Sequence, residues 1–184
     1  VLLLASTSPR RKDLLDTLQY VYEIKPSSYE EDIPVQGDPS VFCLRQARGK
    51  ASAVSRIYSH DWVLAADTIV ALGTTILGKP HHAEAARHML QQLSGKEHMV
   101  FTAVVLRRQE EIYETVVQTR VIFRILSAVE IDAYIRTKEP MDKAGAYAIQ
   151  GRAASFIKEI HGSFTNVIGL PLAEVKEMLV QAQV

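Results

Sequence analysis

The chain has 184 residues, 47% of them hydrophobic, with 21 Lys+Arg balanced by 21 Asp+Glu, so it is long enough to bury a sizeable core and carries no net field to gather nucleic acid or an anionic membrane. No basic stripe with interleaved aromatics runs along it and no stretch approaches the ~20 apolar residues of a membrane span, which disfavours a nucleic-acid reader and a membrane protein. The one cysteine, Cys43, rules out an internal disulfide and a Cys-rich zinc site and fits a reducing compartment, so a cytoplasmic setting is expected.

The opening Val1-Leu2-Leu3-Leu4-Ala5 is too short for a signal sequence and reads as a first strand. No Met precedes Val1, so the natural chain is expected to begin a little earlier. Ser8 and Pro9 supply an N-cap and an N1 proline for a helix with Leu14, Leu15 and Leu18 on one face. A strand at Val21 to Ile24 and an acidic loop lead to Asp38-Pro39, which starts a helix to about Tyr58 with Phe42, Ala47, Ala53, Val54 and Ile57 as its apolar stripe. Trp62 to Leu72 is apolar on both alternating faces, the mark of a strand covered on both sides. Gly73 turns it back through Thr75 to Leu77, and Glu84 to Leu93 forms a helix closed by Ser94-Gly95.

Two strands follow, around Met99 to Leu106 and Thr115 to Leu126; the second alternates Val117, Thr119, Val121, Phe123 and Ile125 against Gln118, Arg120 and Arg124 and should show one face to water. Ser127 and Glu130 form a capping box for a helix to about Lys138, which Pro140 ends. A Gly-rich loop from Met141 to Gly151, a strand from Ser155 to Ile160, a turn at Gly162 and a last helix after Pro171 complete an α/β chain with a mixed sheet.

Two places break the local rules. Arg10, Arg11 and Lys12 occupy the positive end of the first helix dipole, where each cation costs about 0.3–1 kcal/mol relative to an acid. An anion at that terminus removes the conflict, because backbone N–H groups, the Ser6 and Ser8 hydroxyls and the guanidinium groups would converge on phosphate oxygens. The alternative is an exposed basic turn paired with neighbouring acids. Asp67 interrupts the apolar strand and must be paired, protonated or metal-bound; it is either a proton acceptor and metal ligand at a cleft or a strand-end carboxylate bonded to backbone.

Glu30-Glu31-Asp32 reads first as a solvated run, although Mg²⁺ needs only one or two carboxylates besides phosphates and waters. Lys79 lies outside any Walker motif, and HExxH, GxSxG and GxGxxG are absent. The six histidines default to surface or capping roles, with Glu84 and His88 a local pair, while Phe101, Phe123 and Phe156 read as core.

Taken in order, Leu-Ala-Ser-Thr-Ser-Pro-Arg-Arg (4–11), the acidic loop, Ala-Arg-Gly-Lys (47–50), Ala-Asp-Thr (66–68), Leu-Gly-Lys-Pro (77–80), Leu-Ser-Gly (93–95), Lys-Glu-Pro-Met-Asp-Lys-Ala-Gly-Ala-Tyr (138–147), Ile-Gln-Gly (149–151) and Gly-Leu-Pro (169–171) resemble the Maf family of nucleotide pyrophosphatases, related in fold to the inosine triphosphatases. The resemblance implies one domain over residues 1–184 with two lobes around a cleft, a homodimer, and hydrolysis of a nucleoside triphosphate to the monophosphate and pyrophosphate with Mg²⁺ or Mn²⁺. By position it implies Asp67 as general base, Glu31 and Asp67 as metal ligands, and Ser6, Ser8, Arg11, Lys50 and Lys79 as phosphate-binding residues.

Arg10, Thr68 and Gln150 match the branch that prefers dTTP and UTP. Ala148 stands where the family commonly carries glycine, and a positive φ there would force the loop to shift. Two other readings stay open: a non-catalytic nucleotide-binding regulator acting in cell division arrest, and a pyrophosphatase for 7-methyl-GTP or another modified purine nucleotide.

Overall fold

The computed structural model describes residues 1–34 and 37–184. Among these residues seven strands form one mixed sheet: β1 (Leu2–Leu4), β2 (Tyr22–Ile24), β3 (Trp62–Leu72), β4 (Thr75–Leu77), β5 (Glu97–Arg108), β6 (Glu111–Phe123) and β7 (Ile157–His161). The order is β2-β1-β3-β5-β6-β7, with β4 paired to β3; β1 runs parallel to β2 and β3, and the remaining pairs are antiparallel. Among the described residues six α-helices surround it: α1 (Pro9–Asp16), α2 (Pro39–Ser55), α3 (Ala83–Leu93), α4 (Ala128–Arg136), α5 (Phe164–Ile168) and α6 (Leu172–Gln181).

The unbroken apolar run of β3 is explained by cover on both faces. On one, Val63, Ala65, Ala71, Phe101 and Ala103 pack against Phe42, Ala47 and Val54 of α2. On the other, Leu64, Val104 and Phe123 pack against Leu15 of α1, Leu90 of α3, Ile131 of α4 and Leu179 of α6. Strand alternation therefore sends Asp67 toward α2 and its neighbour Thr68 to the opposite face, as the side-chain contacts of Asp67 with Lys50 and of Thr68 with Thr102 confirm.

Local capping agrees with the sequence where a side chain has an amide to reach. Asp38 accepts from the Ser40 and Val41 amides, and Ser127 and Glu130 make the reciprocal capping box. Other expectations fail where the chain leaves its element. Helix α2 ends at Ser55, so Ile57 no longer follows the helical period and is exposed, while Ala53 is only half-buried. Ile125 is exposed because the β6–β7 ladder is irregular at Ile122 and Phe123 and β6 stops there. Helix α4 ends at Arg136, with Lys138 in the left-handed region. A 3₁₀ turn, Arg152–Phe156, replaces the expected start of β7, and α5 has no counterpart in the sequence reading. Glu84 pairs with Arg87 rather than His88, and His98 is a core residue at 2% exposure instead of a surface one. No described helix is long and apolar enough to cross a membrane.

Candidate active site

A cavity of about 580 Å³ opens where the loop after β1, the N-terminus of α1, the middle of β3 and the loop after α4 meet. The ten residues singled out from the sequence, Ser6, Ser8, Arg10, Arg11, Glu31, Lys50, Asp67, Thr68, Lys79 and Gln150, all line it. They come from six separate segments of chain, so it is the fold that brings them together.

The α1 terminus carries the conflict noted above in a resolved form. Lys12 is exposed and pairs with Asp16 at 2.6 Å, an ordinary i,i+4 contact. Arg11 behaves differently: its Nε donates to the Gly169 carbonyl at 2.8 Å, and its two terminal nitrogens donate to Ser6 Oγ at 3.4 Å and Thr68 Oγ1 at 3.0 Å. Among the described residues its partners are neutral oxygens, so its charge is held in place without being cancelled. Burial pushes the guanidinium below its ordinary value, with Asp67 and Cys43 opposing. Ser8 sits at the N-cap position, but its hydroxyl makes no cap bond there; Ser6 Oγ accepts the Ser8 amide at 3.2 Å instead. First-turn amides without a side-chain cap are anion-binding groups.

Across the cavity the charges are paired. The Lys50 ammonium, on the buried side of α2, bridges Asp67 Oδ1 at 2.6 Å and Glu31 Oε1 at 2.7 Å, and Lys79 approaches Glu31 Oε2 at 3.7 Å. Burial raises the Glu31 carboxyl, and the Lys50 hydrogen bond together with the charges of Lys50, Lys79 and Arg11 more than offsets it, leaving Glu31 below the usual carboxylate value. Asp67 Oδ2 has the Cys43 thiol at 3.9 Å. Burial also pushes that thiol far up, so Cys43 stays neutral.

Glycine in Ala-Arg-Gly-Lys has a local reason: a Cβ at Gly49 would stand 2.3 Å from the Tyr29 ring. Close approach of that ring sets the Ser27–Glu31 stretch against α2, where Ser27 Oγ donates to the Lys50 carbonyl at 3.2 Å. Lys79 is tied to the far wall, since the Gly145 amide donates to the Gly78 carbonyl at 3.1 Å.

Sequence reading assigned no role to several cavity residues. Lys143, little exposed, donates to the Glu139 carbonyl and to Asp142 Oδ1, both at 2.7 Å, and that bond lowers the Asp142 carboxyl. Tyr147 packs edge-on against Phe123, with its hydroxyl 2.6 Å from His98 Nε2. Val70, Val100, Val167 and Ile168 add an apolar wall suited to a flat ring. Lys143 and Tyr147 fall within a family motif, but the valines carry only core-like periodicity, so nothing distinguished them. Ala148 is not among the residues with positive φ, and the positive-φ positions of this loop are Gly145, Ala146 and Gly151. Alanine at 148 therefore asks for no shift.

Glu31 and Asp67 are the two cavity carboxylates near enough to each other to share a cation. Both carboxylates already converge on one cation, the Lys50 ammonium, within 2.7 Å. Among the described residues no cluster of three or more His, Cys, Asp or Glu is present, so these two carboxylates could hold Mg²⁺ only with phosphate and water completing its shell.

The Maf-like protein family model matches residues 1–182. The chain is 49% identical over 185 residues to the dTTP/UTP pyrophosphatase of Anaeromyxobacter dehalogenans (strain 2CP-1), covering 98% of this chain and 93% of that protein. It is 47% identical to the dTTP/UTP pyrophosphatase of Desulfotalea psychrophila, with 97% and 92% covered, and 45% identical to that of Bacillus cytotoxicus, with 97% and 94% covered. Among solved structures, a HAM1 protein from Coxiella burnetii aligns with a TM-score of 0.52 at 13% identity over 100% of this chain and 98% of that one, a likeness of fold.

Proposed function

The chain belongs to the Maf family, and from that premise we propose that it is a dTTP/UTP pyrophosphatase, cleaving the α,β-phosphoanhydride to release the nucleoside monophosphate and pyrophosphate. The observation that carries the reading is the juxtaposition across one cavity of a cation seated on neutral oxygens, Arg11, and a buried carboxylate, Asp67. Curated relatives at 45–49% identity with that name support the substrate class.

In this reading the triphosphate lies against the α1 amides with Arg11, Lys50 and Lys79 on its oxygens, and the base lies toward the Tyr147–Gln150 wall. A Gln150 amide can both donate to and accept from a pyrimidine edge. Asp67 accepts the proton of the water that attacks the α-phosphorus, and Lys50, bonded to its Oδ1, fixes the carboxylate's orientation. The cations disperse the charge that builds on the departing pyrophosphate. Glu31 and Asp67 would hold Mg²⁺ or Mn²⁺, which supplies further neutralisation of phosphate charge when bound. A homodimer and a cytoplasmic setting belong to the same proposal, and sedimentation of the purified chain checks the first.

Pyrophosphate release from dTTP, UTP, GTP and 7-methyl-GTP, each with Mg²⁺, tests the reading, with dTTP and UTP expected as the best substrates. Asp67→Asn is expected to keep the fold and lower turnover by at least ~10²-fold, the usual scale for loss of a general base. Release from no nucleotide would leave a nucleotide-binding module. Preference for 7-methyl-GTP would overturn the pyrimidine assignment.

A further inference from the structure

Behind Arg11 a chain of hydroxyls leaves the cavity and enters the core. Arg11 donates to Thr68 Oγ1, which lies 2.9 Å from Thr102 Oγ1 on β5, and Thr102 donates to the Asn166 carbonyl in α5 at 3.0 Å. Thr102 and Asn166 have no exposed surface. A threonine hydroxyl has one proton. Thr102 spends its proton on Asn166, so in the contact between the threonines Thr68 must be the donor. Thr68 in turn accepts from Arg11, and the series runs one way: guanidinium, Thr68, Thr102, backbone carbonyl.

The far end is fixed. Asn166 Nδ2 donates to the Val100 carbonyl at 3.1 Å and to Thr119 Oγ1 at 2.9 Å, and Thr119 Oγ1 donates to the Ser163 carbonyl at 3.0 Å. These bonds pin α5 to β5 and β6. Helix α5 ends in Gly169, whose carbonyl takes Arg11 Nε. Gly169 has φ +127, and a Cβ there would stand 3.4 Å from Thr68 Oγ1 and 3.8 Å from Arg11 Nε. Two of the three bonds that aim Arg11 thus lead back to the same buried anchor.

We propose that Thr102, which does not line the cavity, is a positioning residue: its hydroxyl orients Thr68 and α5 so that Arg11 is aimed at the phosphates. The inference rests on the reading of the cavity as a triphosphate site. It also means that Thr68 cannot donate to the base, because its only proton points inward. Position 68 then acts on substrate choice through the pose of Arg11.

Thr102→Val keeps the shape and removes the hydroxyl, whereas Thr102→Ser keeps the hydroxyl and removes a buried methyl. Each variant is measured for melting temperature, for kcat and KM with dTTP, and for the dissociation constant of inorganic tripolyphosphate. Thr102→Val is expected to lower kcat/KM and weaken tripolyphosphate by about 10-fold, the upper scale for one lost internal hydrogen bond. Thr102→Ser should stay within about 2-fold of the parent in both while melting at a lower temperature, since an order-of-magnitude loss belongs to the missing hydroxyl. In an Arg11→Lys background Thr102→Val should have no further effect.

Parental affinity and kinetics in Thr102→Val, or losses in both variants that follow their melting temperatures, overturn the proposal. If the unmodified chain binds tripolyphosphate but releases no pyrophosphate from any nucleotide, the enzymatic reading fails while the affinity comparison still decides the role of Thr102. If it does not bind tripolyphosphate, both fall.

Discussion

The two faces of β3 handle buried polarity in opposite ways, one residue apart. On the α2 face Asp67 meets Lys50, and charge is answered by charge. On the other face Thr68 meets Arg11, Thr102 and, through it, Asn166, and His98 lies in the same layer; here the buried partners are neutral hydroxyls, amides and an imidazole. The difference separates two requirements of a phosphoryl site. Carboxylates must be kept ionised and in position inside the protein, which calls for a cation beside them. A phosphate-binding cation must be held without being neutralised, which calls for uncharged acceptors.

Breaking the paired face should have the larger effect on stability. Lys50→Met leaves the buried Asp67 carboxylate without its ammonium, and removal of one partner of a buried pair costs about 3–5 kcal/mol. The half-exposed Glu31 contributes little to that loss. Urea midpoints at pH 7 measure it, and Lys50→Met combined with Asp67→Asn should recover most of it because no charge is left stranded. Near-parental stability of the single variant would show that water compensates Asp67 and that the two faces do not differ.

The neutral face breaks by gaining a charge. Burial depresses His98 to about 4, and its Nδ1 has no partner among the described residues. Well above pH 6.5 the imidazole is neutral in both folded and unfolded chains, and its titration adds nothing. As pH falls below 6.5 the unfolded chain takes the proton first, so stability is lost progressively until about pH 4, by about 3 kcal/mol in all. Carboxylates titrate in the same range, so the prediction is a difference: His98→Phe should show a shallower fall in urea midpoint between pH 6.5 and 4. Parallel curves for the two proteins would place His98 in contact with water.

Arg11→Met sharpens the contrast further. Loss of a charge-assisted contact should weaken tripolyphosphate by about 10–100-fold. Stability should change by about 1 kcal/mol or less, since neutral acceptors at the cavity wall can take water. A fall as large as that of Lys50→Met would mean that Arg11 is a structural cation.

How far this arrangement was legible from sequence follows from the range of the interactions. The conflicts at Arg11 and Asp67 were visible because each breaks a local rule, a cation at a helix start and a carboxylate in an apolar strand. Capping at Asp38 and Ser127 was visible because donor and acceptor lie within three residues. Thr102 and Asn166 were not, since a threonine in a strand looks the same whether its hydroxyl is idle or bonded to a carbonyl 64 residues away. His98 was misread as a surface residue because its burial depends on Phe123 and Tyr147, both distant in sequence. Helix α5 was too short to show a period.

The smallest effect on activity concerns the family motif itself. Ala148 is buried with φ outside the positive range, while the left-handed turn that swings Tyr147 into the wall is made at Gly145 and Ala146. A glycine there adds freedom to the unfolded chain and removes one buried methyl, so Ala148→Gly should cost about 1–2 kcal/mol. The ratio of dTTP to UTP turnover should stay unchanged, because Gln150 is carried on a backbone that does not need the extra freedom. A shift in that ratio would show that the loop moves during recognition and that its backbone, as well as the Gln150 side chain, selects the base.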